Sequence, residues 1–438
     1  MTDGTEVRGQ RSGVSPALPL VAPKPDEGAS TRERARSSPS QPSTLHPQPS
    51  CKVALLTGGG DKPYALGLAA ALTAEGISID FIGSDDLDVP ELRKNFRVRF
   101  LNLRGNQSSE AGLAAKVLRV ARYYVRLVAY ALSSQAKIFH ILWNNKLEFL
   151  DRTFLMLFYK LMGKRVVLTA HNVNARKRDN HDSFLNRFSL GIQYRLCDHI
   201  FVHTEKMRDE LLADFAVAAD KASVIPFGIN NTVPNTTLSS SGAKRQLGIE
   251  PGDKVLLFFG NIAPYKGLEH LVAAFAEILK KDGSYLLVIA GRSKGSPEYW
   301  EKIERTIGSA GLGDRTLQRI EYVPDEETEL YFKAADVLVL PYTQIFQSGV
   351  LFLSYSFGLP VIAADVGPLK EEVVEGQTGF VFKARDSLDL AKTIHRYFGS
   401  ELFRDLEGHR LEIKEYANQR YSWSKVTGLT SRVYERIL

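Results

Sequence analysis

A chain of 438 residues, 44% hydrophobic, with 56 basic against 50 acidic side chains, is long enough for two or three well-buried soluble domains, which excludes a single small one. Its two cysteines, Cys51 and Cys197, give neither a disulfide framework nor metal-ligand spacing, and no apolar run approaches the ~18 residues of a membrane span, so a cytoplasmic location is expected. The excess positive charge sits in residues 51–230, with 25 basic against 18 acidic side chains, which points to an anionic surface or substrate rather than nucleic acid, for which no recognition motif is present.

Residues 1–50 are rich in Pro, Ser, Arg and Gly without apolar periodicity, and they read as a disordered tail lacking the apolar core of a signal peptide. From residue 51 the pattern becomes α/β. A strand at 52–56 runs into Gly58, Gly59 and Gly60, a helix at 64–74 follows, and a second strand occupies 78–82. Asp86-Leu87-Asp88 reads as a solvated turn rather than a metal motif. Residues 111–147 contain no acid, and a helical projection puts Lys116, Arg119, Arg122 and Arg126 on one side with Tyr123 and Tyr130. Val117, Ala121, Tyr124, Val125 and Val128 point the other way, which predicts a basic face over an apolar, inward body. That face is either a solvated cationic surface or a dock for anionic lipid, at about 1 kcal/mol per basic residue. The apolar stretch 149–162 is expected to be core. Strands follow at 138–142, 165–169, 199–203 and 223–225, and the second of these, within VVLTAHN, carries His171 at its carboxyl end. A lone histidine is often structural, but one at a strand's carboxyl end faces ligand in an open parallel sheet.

A polar segment at 231–242 reads as a linker, after which the pattern restarts. Strands are predicted at 255–259, 286–290, 337–340 and 360–363, with helices at 268–280, 297–310 and 326–334. After the first of these strands comes GNIAPYKG, where the Lys266 ammonium stands between a glycine and a helix start. It is either a solvated turn lysine or a ligand for a diphosphate. About 80 residues later Ser348 and Gly349 open an apolar helix ending at Gly358, and a second small-residue turn follows at Gly367. Free backbone N–H groups at such turns form an anion site.

Taken together, PYKGLEHLVAAF, ADVLVLPY, SGVLFLSYSFGLPVIAADVG, EGQTGFVF and the terminal YSW resemble the family 4 glycosyltransferases across residues 51–438. The resemblance implies the GT-B fold, two Rossmann-like domains with parallel sheets facing a central cleft. The acceptor domain would be 51–230, the nucleotide-sugar donor domain 243–415, and the C-terminal helix, 416–438, would pack back on the first. It implies a glycosyltransferase that needs no metal or cofactor and moves a sugar, with retention of configuration, onto a saccharide or lipid-linked acceptor in polysaccharide or glycolipid assembly. Peripheral attachment to the inner face of the plasma membrane would suit such an acceptor.

By the same resemblance Lys266 and His171 are the catalytic candidates. Asn261, Lys266, Arg292, Val323, Gln347, Ser348, Gly349 and Glu371 would bind the donor, the Val323 backbone holding its base. Gly58, Gly59 and Gly60 would let acceptor and phosphate approach. The departures are specific: Asn261 stands where the family has arginine, and its paired glutamates fall on Ile345 and Leu353, neither of which ionises. Gln347 or Glu371 would then have to hold the ribose. The competing readings are a non-catalytic binding subunit, and an epimerase or phosphorylase on the same fold.

Overall fold

A computed structural model describes residues 52–107, 112–178, 182–229, 233–293, 297–345 and 348–438. The proposed tail, Cys51 and Gln347 lie outside these residues. The first lobe contains β1 (Lys52–Leu56), α1 (Lys62–Ala74), β2 (Ser78–Gly83), β3 (Val98–Asn102), α2 (Leu113–Ser133), β4 (Ile138–Ile141), β5 (Arg165–Thr169), α3 (Phe184–Leu196), β6 (His199–Val202) and β7 (Ala222–Val224). In the second lobe the principal elements are β8 (Lys254–Phe259), α4 (Leu268–Leu279), β9 (Tyr285–Ala290), β10 (Thr316–Arg319), α5 (Asp325–Ala334), β11 (Val337–Leu340), α6 (Gly349–Ser356), β12 (Val361–Ala364), α7 (Leu369–Glu372) and β13 (Gly379–Phe382). Two terminal helices follow, α8 (Leu406–Tyr421) and α9 (Trp423–Ile437).

Both sheets are parallel, and their central strands are continuous apolar runs because helices cover both faces. Strand order is β3-β2-β1-β4-β5-β6-β7 in one sheet and β10-β9-β8-β11-β12-β13 in the other. Each order reverses once, between β1 and β4 and between β8 and β11. Loops leaving strands at such a reversal diverge and leave a crevice, so the turns after β1 and β8 are where a ligand fits. Strands β3, β10 and β13 escaped the sequence reading. β3 and β10 are edge strands that interleave Arg99, Gln318 and Arg319 with apolar residues, and β13 is a four-residue strand opened by a glycine.

The two covalent connections between lobes are stitched at one point. Ile229 N–H donates to Tyr421 O (3.0 Å), and Trp423 Nε1 donates to Ile229 O (3.0 Å). Helix α9 then lies along α1 in the first lobe, where the Tyr434 hydroxyl meets His140 Nδ1 at 2.6 Å. Any side chain at Gly67 or Gly228 would strike the Trp423 indole, 2.2 and 2.4 Å from its nearest atom. The 231–242 segment is not wholly irregular: Ser239 accepts from Gly242 N (3.1 Å) and starts a helix at Ser240–Gln246.

Helix α2 is rotated relative to its predicted orientation. Tyr123, Leu127 and Ala131 enter the core, and Lys116, Arg119 and Tyr130 are half-buried, whereas Val117, Leu118, Ala121, Val125 and Leu132 face out beside exposed Arg122 and Arg126. Two hydrogen bonds fix this rotation, Tyr130 Oη to Asp80 (2.8 Å) and Tyr124 Oη to Asp151 (3.0 Å). The expected core stretch also divides. Leu155, Met156 and Tyr159 are buried, but Phe154 and Leu161 are 63% and 76% exposed.

Candidate active site

In the second lobe, β8 is followed by Gly260, whose φ of +102° is open to glycine and strained for other residues. The chain makes one tight 3₁₀ turn, Pro264–Lys266, and Gly267 at φ +64° starts α4. This folds Lys266 inward. Its side chain is 7% exposed, donates to the Tyr342 hydroxyl (2.8 Å) and lies 4.6 Å from that ring's centre. No carboxylate pairs with it among the described residues. A Cβ at Gly260 would lie 3.7 Å from Lys266 Nζ and 3.4 Å from Val350 Cγ2, so this ammonium, the β8 turn and the first turn of α6 share one small space. Ser348 caps α6, its hydroxyl accepting from Leu351 N (3.4 Å), and Gly349 is exposed beside it. A buried ammonium next to a helix N-terminus is a place for a doubly charged anion.

The other predicted donor residues stand around this centre with fewer contacts. Gly291 packs so tightly that a Cβ would fall 1.9 Å from Gly260 O, which sets exposed Arg292 at the same turn, 5.7 Å from the Tyr322 ring. Asn261 is half-buried, Val323 is buried, and Glu371 on α7 is exposed without a side-chain partner among the described residues. Its neighbour Glu372 is the engaged one, accepting from the Tyr421 hydroxyl where the chain recrosses to the first lobe. Leu353 and Ile345 line inter-lobe cavities of about 240 and 350 Å³, respectively.

The first lobe contributes His171 at the end of β5. Its ring stacks on Trp143 at 4.1 Å and meets the Tyr64 edge at 4.7 Å. Hydrogen-bond direction fixes its tautomer. The Ile225 carbonyl can only accept, so His203 Nδ1 carries a proton (3.2 Å); His203 Nε2 then accepts from His171 Nδ1–H (3.0 Å). His171 Nε2 is left as a buried lone pair without a partner. Burial, then the neighbouring His203 and His140, pushes its pKa well below the ordinary value, so the ring is neutral at pH 7.

The three glycines after β1 are closely packed. Trp143 and Arg104 fill the space their side chains would need: a Cβ at Gly60 would lie 1.9 Å from the Trp143 ring, at Gly58 2.0 Å from Trp143 O, and at Gly59 2.1 Å from Arg104 Nη1. Asp61, the cap of α1, was not singled out from sequence. Its carboxylate accepts from Tyr64 N (2.9 Å) and faces the start of α6, 3.9 Å from where a Gly349 side chain would begin. Desolvation between the lobes raises its pKa, Tyr64 N–H opposes this, and Asp325 adds to it. An N-cap Asp before Pro was legible as a helix start, but its position across the cleft was not. A cavity of about 890 Å³ is lined by Lys244, Lys333, Arg410 and Lys414 at the amino-terminal ends of the β8 and β11 strands, opposite the carboxyl ends.

Two facing parallel α/β lobes define the GT-B class. Residues 58–232 match the family described as Glycosyltransferase Family 4, and residues 241–420 match Glycosyl transferases group 1. The chain belongs to these family 4, group 1 glycosyltransferases. Among curated relatives, D-inositol 3-phosphate glycosyltransferase of Corynebacterium aurimucosum is 27% identical over 54% of this chain and only 56% of its own length. The protein of the same name from Corynebacterium diphtheriae is 26% identical over 89% of this chain and 93% of its own. Among solved structures, HepE of Anabaena in complex with UDP and glucose superposes with a TM-score of 0.69 at 17% identity, covering 88% of this chain and 100% of that one.

Proposed function

We propose that the protein transfers a glycosyl unit from a nucleotide-sugar donor to a saccharide or lipid-linked acceptor, with retention of configuration and without a metal. The observation that carries this reading is Lys266, a buried ammonium with no carboxylate partner among the described residues, beside the free end of α6. A departing nucleoside diphosphate would accept charge-assisted hydrogen bonds there, each worth about 1.5–3 kcal/mol. The HepE complex with UDP and glucose, on the same fold, supports the donor class. The bare Nε2 of His171 would accept a hydrogen bond from a sugar hydroxyl across the cleft and hold the glycosyl unit against the acceptor. Arg292, the Val323 backbone and Glu371 would complete the nucleotide site, and Gln347 remains a candidate for the ribose contact.

Incubation with UDP-, GDP- and ADP-sugars tests the reading by release of nucleoside diphosphate. NMR of the product's anomeric proton tests retention, and undiminished turnover in EDTA tests metal independence. Absence of release with every donor, together with no nucleotide-induced shift in Tm, would leave the non-catalytic binding subunit standing. Donor conversion without any acceptor would favour the epimerase, and formation of sugar phosphate the phosphorylase.

We further propose that the first lobe docks on the anionic inner face of the plasma membrane. Three neighbouring helices expose apolar side chains on one face of its sheet: Val117, Leu118 and Val125 of α2, Phe154 and Leu161 of the 148–161 segment, and Phe184 and Phe188 of α3. Basic Arg122, Arg126 and Lys146 flank them, and no acid occurs between residues 111 and 147. Apolar insertion supported by cationic flanks is the pattern that binds anionic lipid. Among the described residues no helix is long and apolar enough to cross a membrane.

A further inference from the structure

We infer that the cavity of about 890 Å³ at the back of the second lobe is a second anion site, suited to a diphosphate and separate from the donor cleft. It lies between α8, the 235–239 stretch and the Ser240–Gln246 helix, where β8 and β11 begin. Lys266 follows the far end of β8, so a ligand in this cavity takes no part in the transfer itself. Its volume is that of a small-molecule pocket.

Lys244, Arg245, Lys333, Arg410 and Lys414 line it, against two acids, Glu250 and Glu407, that are exposed to water. Two of the five cations are already neutralised. Lys244 Nζ lies 3.1 Å from both Asp336 carboxylate oxygens and donates to Asp253 O (2.9 Å), and Lys333 Nζ meets Glu329 (3.0 Å) and Thr236 O (2.5 Å). The other three keep their charge for a ligand. Arg245 and Lys414 make no hydrogen bond or salt bridge among the described residues. Arg410 is 6% exposed and spends its Nη atoms on carbonyls at the carboxyl ends of α5 and α6, Phe332 O (3.4 Å), Ala335 O (2.5 Å) and Phe357 O (3.3 Å). Its Nε is buried without a partner among the described residues. A buried guanidinium N–H left unpaired is costly, and a phosphoryl oxygen would complete it.

Arg410 and Lys414 stand one turn apart on the same face of α8, with about 5–6 Å between Cβ atoms at such a spacing, so two adjoining phosphoryl groups can each meet one of them. Burial, then Arg410 and Lys333, pulls the Lys414 pKa below its ordinary value, with Glu407 opposing. That crowding of like charge is what a bound polyanion relieves. Phe357 is the one aromatic among the described lining residues and is buried, so a base would find no open face to stack on. The geometry therefore favours the diphosphate itself over a nucleotide that carries one.

Calorimetric titration of the full chain and of Lys266→Ala with inorganic pyrophosphate tests the site. With the donor cleft weakened by Lys266→Ala, one saturable binding event is expected to remain. Adding Lys414→Gln and Arg245→Gln should weaken that event at least tenfold, and Lys414→Arg with native Arg245 should preserve it. ADP forms a second arm: affinity no greater than that of pyrophosphate assigns the site to the diphosphate alone, and tighter binding that is lost with the same two residues assigns it to a free nucleotide. Unaltered affinity after Lys414→Gln and Arg245→Gln, or disappearance of all pyrophosphate binding with Lys266→Ala, overturns the site. Lys414 is half-buried and Arg245 exposed, and Arg410, which holds two helix ends, is left in place so that the fold is kept. UDP-induced stabilisation of the Lys414→Gln, Arg245→Gln chain with native Lys266 reads the donor cleft separately.

Discussion

At the scale of single residues, Lys266 and the glycines after β1 show how alike two small-residue turns look in sequence and how differently they work. The β8 turn leaves an ammonium without a counter-charge among the described residues, while the β1 turn is packed by Trp143 and Arg104. Replacing Lys266 by Ala is expected to lower kcat/KM by about 10²–10³-fold, the scale of losing one preorganised donor to a leaving anion, with Tm changed by only a few degrees. Equal losses of activity and of denaturation midpoint would make Lys266 a structural residue. Gly58→Ala should behave in the opposite way. It combines a φ of +57° with a 2.0 Å clash against a backbone oxygen, which is expected to cost about 2–4 kcal/mol of stability, measurable by urea unfolding. The glycines were legible as special positions. Their neighbours were not, because Trp143 and Arg104 arrive from strands far away in sequence.

Among the elements, α2 is the instructive case. Its sequence carries two apolar stripes, one through Tyr123, Leu127 and Ala131 and one through Val117, Ala121 and Val125, so periodicity alone identifies a helix without choosing its inward face. The choice falls to polar partners. Asp80 and Asp151 wait under the helix, and the Tyr130 and Tyr124 hydroxyls are the groups that reach them. The outward stripe then predicts a membrane phenotype different from that of a purely basic face. Val117→Gln with Val125→Gln should reduce co-sedimentation with anionic vesicles several-fold even at low salt, and Arg122→Gln with Arg126→Gln should remove the dependence on anionic lipid. Vesicle binding untouched by both pairs would reject the docking face.

For the molecule as a whole, the lobes are joined where Ile229, Tyr421 and Trp423 meet, and the Phe227 and Phe352 rings stack between the lobes at 5.4 Å. Trp423→Ala would leave the hollow between Gly67 and Gly228 empty and is expected to cost about 3 kcal/mol, seen as a lowered unfolding midpoint. Acid sensitivity is also a property of the whole. Burial pushes His140 down to about 3 and His203 and His199 to about 4, with His171 well below its ordinary value. Between pH 6.5 and about 4 the unfolded chain therefore binds protons that the folded chain refuses, and stability falls as pH falls. Asp151, raised to about 6 by burial, works in the other direction, as do Asp61, Asp325, Asp336 and Glu372, whose pKa values burial also raises. Urea midpoints at pH 7.5 and 5.0 should differ accordingly, with the lower value at pH 5.0, and an unchanged midpoint would contradict the neutral buried histidines.

The sequence by itself determined the two α/β lobes, the strand carrying His171, the turn carrying Lys266 and the helix start at Ser348, because periodicity, glycine turns and capping are local and each is written within about fifteen residues. Tertiary structure alone decided which face of α2 meets water, which histidine nitrogen is free, what fills the glycine turn and which acid, Asp61, faces α6 across the cleft. Those outcomes depend on pairs such as His171 with His203, Arg104 with Gly59 and Asp61 with Gly349, whose members are brought together by strand order and lobe contact and carry no signal in their own neighbourhoods.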